Sequence, residues 1–437
     1  MKKISKYTHI TPYENQFIYY NAAKGMDSIL LAKHDFRVES LEGIDGSMID
    51  ELQAKGHLVS SNDEDEVQIQ NIQRRFDERD YLSLIILPNE ECNFRCVYCY
   101  ESLKHQVMRE ETILGILKYV ENNISQYSSL QVAWFGGEPL LSLQTIINMS
   151  QAFISICREH KKGYVASVTT NGYLLDIETF QQLKKCNVTH YQITIDGCKA
   201  VHDIQRPLHN GRGTFEQIIQ NLKMIKDNIH SHTFEIVLRT NCSKRHYDTF
   251  DEYLEVISKT FADDPRFSLL LRTVMDWGGE RIDNYRDQMF EVQQLKGFLN
   301  TYMEKKEHAL LPKHMMLLEP LSCVCYAGYK NTLVIDSAGS LFRCTCNFDN
   351  EESRIGYISN DGKLHIDETR LQLWNSNIHY RRSDCNLCEL LPLCLGDPCP
   401  EYRIANKDSH GGCPFEKHLI NEFILMKYKE MFEKKGC

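Results

Sequence analysis

The stretch Pro88-Asn-Glu-Glu-Cys92-Asn-Phe-Arg-Cys96-Val-Tyr-Cys99 follows directly on the apolar run Leu82–Leu87. Its three cysteines are separated by three and then two residues, so their thiolates share one loop and can bind three irons of a 4Fe–4S cluster. The fourth iron then keeps an open position, which a reacting ligand requires. The alternative is half a zinc site, which would need a further ligand such as His105.

Outward from this loop, apolar runs alternate with amphipathic helical stretches between Tyr81 and Arg272. Strands that alternate with helices predict βαβ units and a parallel sheet. Six such units favour an α/β fold, a partial (β/α)6 TIM-type barrel, over a doubly wound sheet, and loops after barrel strands carry the chemistry. The predicted strands are Leu82–Leu87, Leu130–Phe135, Tyr164–Val168, Tyr191–Ile195, Phe234–Leu238 and Phe267–Leu271.

Segments of different character flank the barrel, which we place at residues 81–310. Residues 1–80 predict a hairpin, Phe17–Asn21 with Ser28–Ala32, and two short helices, Met48–Leu52 and Val67–Phe76. A small winged-helix-like α+β module and a simple cap on the barrel both fit this pattern. Residues 311–437 are rich in loops and cysteines and end in an amphipathic helix near Glu416–Lys434.

The charge balance and the apolar runs of the sequence bear on which classes of partner, nucleic acid or membrane, the protein could bind. The chain has 50 Lys and Arg against 60 Asp and Glu, a net charge of −10, whereas proteins that bind duplex nucleic acid present a basic face. No apolar run approaches the ~20 residues that span a bilayer. The N-terminus lacks the apolar core of a signal peptide. We therefore expect a cytoplasmic protein with no nucleic-acid or membrane partner, in which the 17 cysteines indicate metal binding rather than disulfides.

The cysteine loop, with Tyr98 just before its third cysteine, resembles the signature loop of radical S-adenosylmethionine (SAM) enzymes. Motifs similar to those of the family follow in order at the ends of the next four strands, with Thr194 where serine is commoner. They are Gly136-Gly137-Glu138-Pro139, Thr169-Thr170-Asn171-Gly172, Thr194-Ile195-Asp196-Gly197 (with His202-Asp203 and Arg206-Pro207 beyond it) and Arg239-Thr240-Asn241. The resemblance covers about residues 81–415.

This resemblance implies a SAM site at the barrel mouth. Glu138 would bind the amino group of SAM, and Gly136 and Gly137 would let the backbone approach the ligand. Arg206 would bind the SAM carboxylate, with an ordinary surface arginine as the alternative. The other residues implied to contact SAM are Tyr98, Thr170, Asn171, Asp196 and Arg239.

A second array of cysteines resembles a SPASM domain, the extension that holds two auxiliary 4Fe–4S clusters in one branch of the family. Cys385, Cys388, Cys394 and Cys413 would then hold the outer cluster, and Cys325, Cys344 and Cys399 the inner one. The fourth inner ligand stays open between Cys346, Cys323 and no protein ligand. A pair of zinc knuckles is the alternative for the whole array, because Cys-x2-Cys is also a zinc spacing.

The implied cofactors are thus SAM and three 4Fe–4S clusters, one that binds SAM and two auxiliary. A donor such as flavodoxin or ferredoxin would supply the electron that cleaves SAM into methionine and a 5′-deoxyadenosyl radical. Enzymes with this barrel and a SPASM domain mostly modify peptides or proteins, and residues 1–80 lie where a leader-peptide recognition element would sit. The sequence identifies no catalytic acid or base.

We therefore expect an oxidoreductase that resembles ribosomal-peptide (RiPP) maturases and forms a thioether or carbon–carbon crosslink in a precursor peptide. An anaerobic sulfatase-maturing enzyme that forms formylglycine is one alternative, and a peptide epimerase is another. From a different class, a non-catalytic zinc or electron-transfer protein would explain the cysteines without the barrel motifs.

Overall fold

The computed structural model describes all residues except 1, 38–40, 42–43, 104–105, 279, 291–293, 295, 298–317, 349, 376–382, 407–411 and 434–437. The chain divides into two compact units. The first consists of Met1–Arg79, Met316–Lys330 and Leu373–Cys437, and the second of Asp80–Met315 and Asn331–Gln372. The boundary that we predict between residues 310 and 311 lies outside the described residues.

The first unit opens with an antiparallel meander of β2 (Thr8–Tyr13), β3 (Gln16–Asn21) and β4 (Gly25–Ala32). A short pair, β1 (Lys3–Ile4) with β5 (Leu58–Val59), and helices α1 (Gly46–Ala54) and α2 (Asn62–Asp77) complete this part. Strands β3 and β4 are the predicted hairpin. The prediction lacks β2, because Thr8, Thr11 and Pro12 interrupt any apolar run.

One apolar core joins the N-terminal segment to the later parts of the first unit. Tyr7, Ile69 and Phe76 pack with Leu391 and Leu395 from the cysteine-rich region. Burying each such side chain contributes roughly 1.5–3 kcal/mol, so residues 1–79 and the cysteine-rich segments stabilise each other. The N-terminal segment is therefore part of a shared core within its unit.

The second unit contains the six predicted parallel strands, which confirms the α/β class. They run side by side in the order β11-β10-β9-β8-β7-β6. Neighbouring strands pair in parallel, with Ile86 opposite Trp134 and Thr194 opposite Arg239, so the carboxyl ends of the strands share one edge of the sheet. The pairing of β8 with β9 shifts register once, between Ala166 and Ser167. The strands are β6 (Tyr81–Ile86), β7 (Ser129–Trp134), β8 (Gly163–Thr170), β9 (Val188–Thr194), β10 (Glu235–Cys242) and β11 (Phe267–Thr273).

Helices connect these strands and bury one face each. In the helix Phe215–Asn228, for example, Ile218, Leu222 and Ile225 are fully or almost fully buried, at the spacing that places apolar residues on one face. The helices are α3 (Glu110–Asn123), α4 (Leu143–Glu159), α5 (Ile177–Lys185), α6 (Lys199–Gln205), α7 (Phe215–Asn228), α8 (Phe250–Phe261) and the single turn α9 (Glu280–Asp283).

Four more strands extend the sheet beyond the prediction. β12 (Thr332–Ile335) pairs parallel with β6, and β13 (Ser340–Phe342), β14 (Arg354–Ile358) and β15 (Leu364–Ile366) continue antiparallel. The later helices are α10 (Glu368–Trp374), α11 (Leu391–Cys394), α12 (Pro400–Ala405) and α13 (Ile420–Tyr428). The predicted C-terminal helix thus comprises the short turn Phe415–Leu419, α13 and the π-helical turn Lys429–Glu433, while Lys434 lies outside the described residues.

One stretch of helix, Pro139–Glu159, is 21 residues long and apolar enough by composition to cross a membrane. It contains α4, which connects β7 to β8 in the sheet. Its buried residues Ile146, Met149 and Phe153 form one face, as in the core helices of soluble α/β proteins, which pass the same test. A single helix of this kind is weak support for a membrane span.

The pH dependence of stability should report on His57, which is fully buried in the first unit and whose Nε2 lies 2.8 Å from the Ser28 carbonyl oxygen. Burial lowers the pKa of His57 from 6.5 to about 4. Between pH 6.5 and pH 4 the His57 imidazole is protonated in the unfolded chain but stays neutral in the folded chain. The free energy of unfolding therefore decreases as the pH falls from 6.5 toward 4. At pH 5.5 the expected loss is ~1.4 kcal/mol relative to pH 7.5.

Anaerobic urea unfolding at the two pH values would measure this loss. The His57→Gln variant is the control, because glutamine does not titrate and should remove about that much of the pH dependence. An unchanged pH dependence in the variant would contradict the assignment.

Candidate functional site

The cysteine loop after β6 has little regular structure and is fixed by the segment that follows α6. The backbone N–H of Arg95 donates to the Pro207 carbonyl at 2.8 Å, and that of Val97 to the Gln205 carbonyl at 2.9 Å. The segment after α6 therefore fixes the positions of Cys92, Cys96 and Cys99 through the backbone.

In this loop Cys96 is buried, and Cys92 and Cys99 are half-buried. Burial raises the pKa of Cys92 and Cys96, and raises that of Cys99 to about 12, and the Cys96 thiol raises the pKa of the other two further. Such thiols hold their protons unless a strong cationic group binds them, and iron bound by thiolates is such a group. The donor set therefore fits a cluster.

The spacing of the possible ligand side chains is relevant to the alternative that the cysteine loop binds zinc. Among the described residues, no three His, Cys, Asp or Glu side chains converge closely enough to hold a single metal ion. A zinc ion requires such convergence, whereas thiolates that bind different irons of a cube do not. His105, the proposed fourth zinc ligand, lies outside the described residues.

The two glycines after β7 make room for the cysteine loop. Gly136 has φ +113°, and a Cβ there would lie 2.3 Å from the Asn89 carbonyl oxygen. A Cβ on Gly137 would lie 2.5 Å from the carbonyl oxygen of Glu91. The loop backbone occupies the space that a side chain would fill at either glycine, and the approach of their backbone to SAM stays a prediction.

The Glu138 carboxylate is completely buried and joins the ends of two strands. One oxygen accepts the Thr170 hydroxyl at 2.7 Å and the Leu140 N–H at 3.0 Å, and the other accepts the Asn171 N–H at 2.8 Å. Burial raises the pKa of Glu138, and these hydrogen bonds oppose the rise. Glu138 thus ties the turn after β7 to the turn after β8, and its role toward the SAM amino group stays a prediction.

Asn171 extends this connection to the cysteine loop. Its Nδ2 donates to Asn93 Oδ1 at 2.8 Å and lies 3.9 Å from Cys92 Sγ. Three of the predicted site residues, Glu138, Thr170 and Asn171, therefore form one hydrogen-bonded group beside the first cysteine.

A second group lies around Tyr98. Its hydroxyl donates to Asp196 Oδ2, and it accepts from Arg206 Nη1 at 2.8 Å and from Asn241 Nδ2 at 3.1 Å. The Asn241 N–H donates to the other oxygen of Asp196 at 2.8 Å. Arg239 joins through its Nε, which donates to Asn241 Oδ1 at 2.9 Å. The structure therefore brings together residues from the ends of β9 and β10 and the cysteine loop.

Arg206 is only 8% exposed, which excludes the alternative of a surface arginine. Burial by itself lowers the pKa of Arg206, but Cys96, Tyr98 and Asp196 raise it by more, so the pKa lies well above its usual value. Its Nε is buried without a hydrogen-bond partner in the described part of the chain. A cation with an unused buried donor fits a ligand carboxylate.

His202 supports this group. Its Nδ1 accepts from the Asp196 N–H at 3.0 Å, and its Nε2 faces the Thr214 hydroxyl at 3.0 Å. Asp203 accepts the N–H groups of Thr214 and Phe215 at the start of α7. The sequence motif alone indicates no role for this His-Asp pair. Both residues proved to hold the turn in place.

In the first unit, four cysteines surround one cavity of about 60 Å³. They are the set assigned by resemblance to the outer cluster: Cys385, Cys388, Cys394 and Cys413. Burial raises the pKa of Cys394 to about 12, and the thiols of Cys388, Cys385 and Cys413 contribute to this rise. A buried ion pair between Asp397 and Arg403, with both contacts at 3.2 Å, holds the loop beyond Cys394.

The residues assigned to the inner cluster are divided between the units. In the first, the Cys325 N–H donates to the Pro398 carbonyl at 3.2 Å, next to Cys399, and the Cys323 N–H donates to the Leu393 carbonyl at 2.9 Å. In the second, the Cys346 N–H donates to Cys344 Sγ at 3.4 Å. The four cysteines without an assigned role, Cys157, Cys186, Cys198 and Cys242, are buried, and Cys437 lies outside the described residues.

The chain is similar in sequence and in fold to known proteins. Residues 86–254 match the model of the Radical SAM superfamily. The cysteine-type anaerobic sulfatase-maturating enzyme of Clostridium novyi (strain NT) is 26% identical over 384 residues, 81% of this chain and 95% of that enzyme. The structure of native anSMEcpe with bound AdoMet and Cp18Cys peptide shares the fold, with a TM-score of 0.57 and 18% identity over 81% of this chain and 98% of that chain.

We expect substitutions of Arg206 and Glu138 both to weaken SAM binding, and the Glu138 substitution to lower the melting temperature as well. Arg206→Ala should weaken SAM binding about ten- to a hundredfold, because a charge-assisted hydrogen bond contributes roughly 1.5–3 kcal/mol. Glu138→Gln should also lower the melting temperature, because its amide would turn a donor toward the Asn171 N–H. SAM titration and thermal melting of anaerobic protein would measure both.

Exposed Arg212 provides the matched control. Arg212→Ala should leave SAM affinity and melting temperature unchanged. Wild-type affinity in Arg206→Ala would remove Arg206 from the site.

Proposed function

The chain carries a radical SAM domain, and on that premise we propose that it is a peptide maturase that crosslinks a ribosomally synthesised peptide through a thioether or carbon–carbon bond. Cys92, Cys96 and Cys99 would hold the cluster, and Arg206 would bind the SAM carboxylate. SAM bound there supplies a radical that takes hydrogen from an unactivated C–H bond. Flavodoxin or ferredoxin would deliver the electron.

The chain's own residues orient this chemistry and keep it dry. Tyr98, Asp196 and Asn241 fix the direction of Arg206 through the hydrogen bonds described above. The Tyr98 ring packs edge-on against Tyr285, with 5.7 Å between ring centroids, beside a small apolar cluster that includes Val274. This arrangement excludes water from the guanidinium, which strengthens its attraction to an anionic ligand.

The observation that carries the peptide assignment is the folded N-terminal segment. The Clostridium novyi enzyme corresponds over nearly its whole length to 81% of this chain, which leaves about a fifth of the chain without a counterpart. Residues 3–77 contain a separate meander and two helices. A segment of this kind, additional to the barrel, fits the recognition of a leader peptide.

Strand addition would use an edge of the meander, whose order is β2-β3-β4. On β4, the Lys55 ammonium donates to the Asp27 carbonyl at 2.9 Å and to the Ile29 carbonyl at 3.1 Å. These contacts cover the outer carbonyls of β4, as protected sheet edges do. We therefore place the leader along β2.

Formylglycine formation is the second candidate. It is favoured by the 26% identity to an enzyme described as cysteine-type anaerobic sulfatase-maturating, which this chain matches over 95% of that enzyme's length. In that case the substrate would be a sulfatase peptide, and residues 1–79 would serve stability through the shared core.

We expect incubation with SAM, dithionite and the precursor peptide encoded nearest to the gene, without oxygen, to remove two hydrogens from the peptide and retain its sulfur. Mass spectrometry distinguishes the candidates, because formylglycine made from cysteine loses the sulfur and formylglycine made from serine reacts with hydrazide. Epimerisation leaves the mass unchanged. An aldehyde product in a sulfatase peptide, with no change in the precursor peptide, would contradict the crosslinking proposal.

The same assay tests leader recognition without truncating the enzyme, whose residues 1–79 share a core with the cysteine-rich region. A leader-free peptide should be modified much more slowly than the full precursor, since remote binding energy positions the reacting segment. Equal rates for the two peptides would contradict a recognition role.

The triple variant Cys92→Ala, Cys96→Ala, Cys99→Ala should abolish SAM cleavage and lose about one third of the iron, since three cubes are proposed. Iron analysis and 5′-deoxyadenosine assays of anaerobically purified protein would measure both. Cys157→Ala, a buried cysteine outside both arrays, is the control and should keep its iron. Continued SAM cleavage by the triple variant would contradict the proposed cluster site.

A further inference from the structure

The wall of the four-cysteine cavity in the first unit has two different sides. Leu390, Leu391 and Leu393 line it with side chains that are at most 6% exposed. Lys417 lines it with a cationic side chain that reaches solvent. A site with an apolar inner wall therefore has an ammonium group at its water-facing side.

The ammonium is close to the sulfur atoms. Lys417 Nζ lies 3.9 Å from Cys413 Sγ, within the range of a hydrogen bond to sulfur. Asp384 also lines the cavity and has its own interactions. Among the described residues that line this cavity, Lys417 is the one with a cationic side chain.

A charge in this position has a definite effect on a bound iron–sulfur cluster. Reduction adds one electron to a cluster that four thiolates already make anionic. Apolar surroundings oppose the added negative charge, whereas a nearby cation and hydrogen bonds to the sulfurs favour it. The leucines and Lys417 therefore act on the reduction potential in opposite directions.

We propose that Lys417 is a positioning residue that raises the reduction potential of the cluster held by Cys385, Cys388, Cys394 and Cys413. The inference rests on the proposed function with its three cubes, one of which the resemblance to SPASM domains assigns to these four cysteines. Lys417 would make this site accept an electron more readily than its apolar wall alone would permit.

Anaerobic redox titration with dithionite, followed by electron paramagnetic resonance, tests the proposal on the full-length protein. The transition that belongs to this site is the one missing from the double variant Cys385→Ser, Cys388→Ser. Lys417→Gln should weaken one-electron reduction about tenfold, which is a fall of ~59 mV in the midpoint potential. Lys417→Arg should keep the wild-type potential.

Lys33→Gln is the matched control, because Lys33 is an exposed lysine of the same unit that does not line the cavity. Its midpoint potential should equal that of the wild type. Higher salt should reduce the difference between Lys417→Gln and wild type, because an exposed charge is screened.

An unchanged potential in Lys417→Gln with full iron content would overturn the proposal. If Lys417→Gln fails to assemble this cluster but Lys417→Arg assembles it, the result supports a cation beside the cluster at position 417. If both variants fail to assemble the cluster, the Lys417 side chain is structural and the proposal is wrong. Failure of the proposed function is distinguishable, because the double cysteine variant would then retain all its iron and every redox transition.

Discussion

The cysteine loop depends on close contact between backbones. It lies between β6 and α3, and neighbouring segments fix it from two sides. The segment after α6 binds it through Arg95 and Val97, and the turn after β7 approaches so closely that only glycine fits at 136 and 137. A Cβ at either glycine would overlap a carbonyl oxygen of the loop, so it would displace the loop and the three cysteines on it.

Three buried charged side chains lie near the carboxyl ends of the parallel strands, where the cysteine loop also lies. Glu138, Asp196 and Arg206 are almost inaccessible to water. Glu138 and Asp196 accept hydrogen bonds from the ends of neighbouring strands, and Arg206 donates one to Tyr98 of the cysteine loop. Burying these groups opposes folding unless their partners are placed accurately. The parallel register supplies that placement, because it brings the ends of β7 to β10 to one level. Within the described part of the chain, the Nε of Arg206 is a buried donor without a hydrogen-bond partner, which fits the proposed contact with the SAM carboxylate.

The six barrel strands could be predicted because each is a short apolar run between helical periodicities, and the site motifs because their residue types stand at strand ends. What the sequence could not reveal depends on contacts between distant segments. One such contact is made by Glu138, which joins two strand ends, while its predicted role toward the SAM amino group stays a prediction. Strand β12 completes the sheet beside β6 from 250 residues away in the numbering, and nothing in its four residues identifies its neighbour.

The shared core of the first unit has a consequence for substrate recognition. Ile72 and Phe76 of α2 pack with Leu391 and Leu395, which lie on either side of Cys394. On β2, His9 contacts Glu389, the residue after Cys388. A peptide that added a strand to β2 would therefore bind an element already in contact with the outer cysteine loop. Residues 1–79 and that loop pack in one core, so a substitution in the N-terminal core can change cluster content as well as peptide binding. The iron content of such a variant should therefore be measured before its peptide affinity is interpreted.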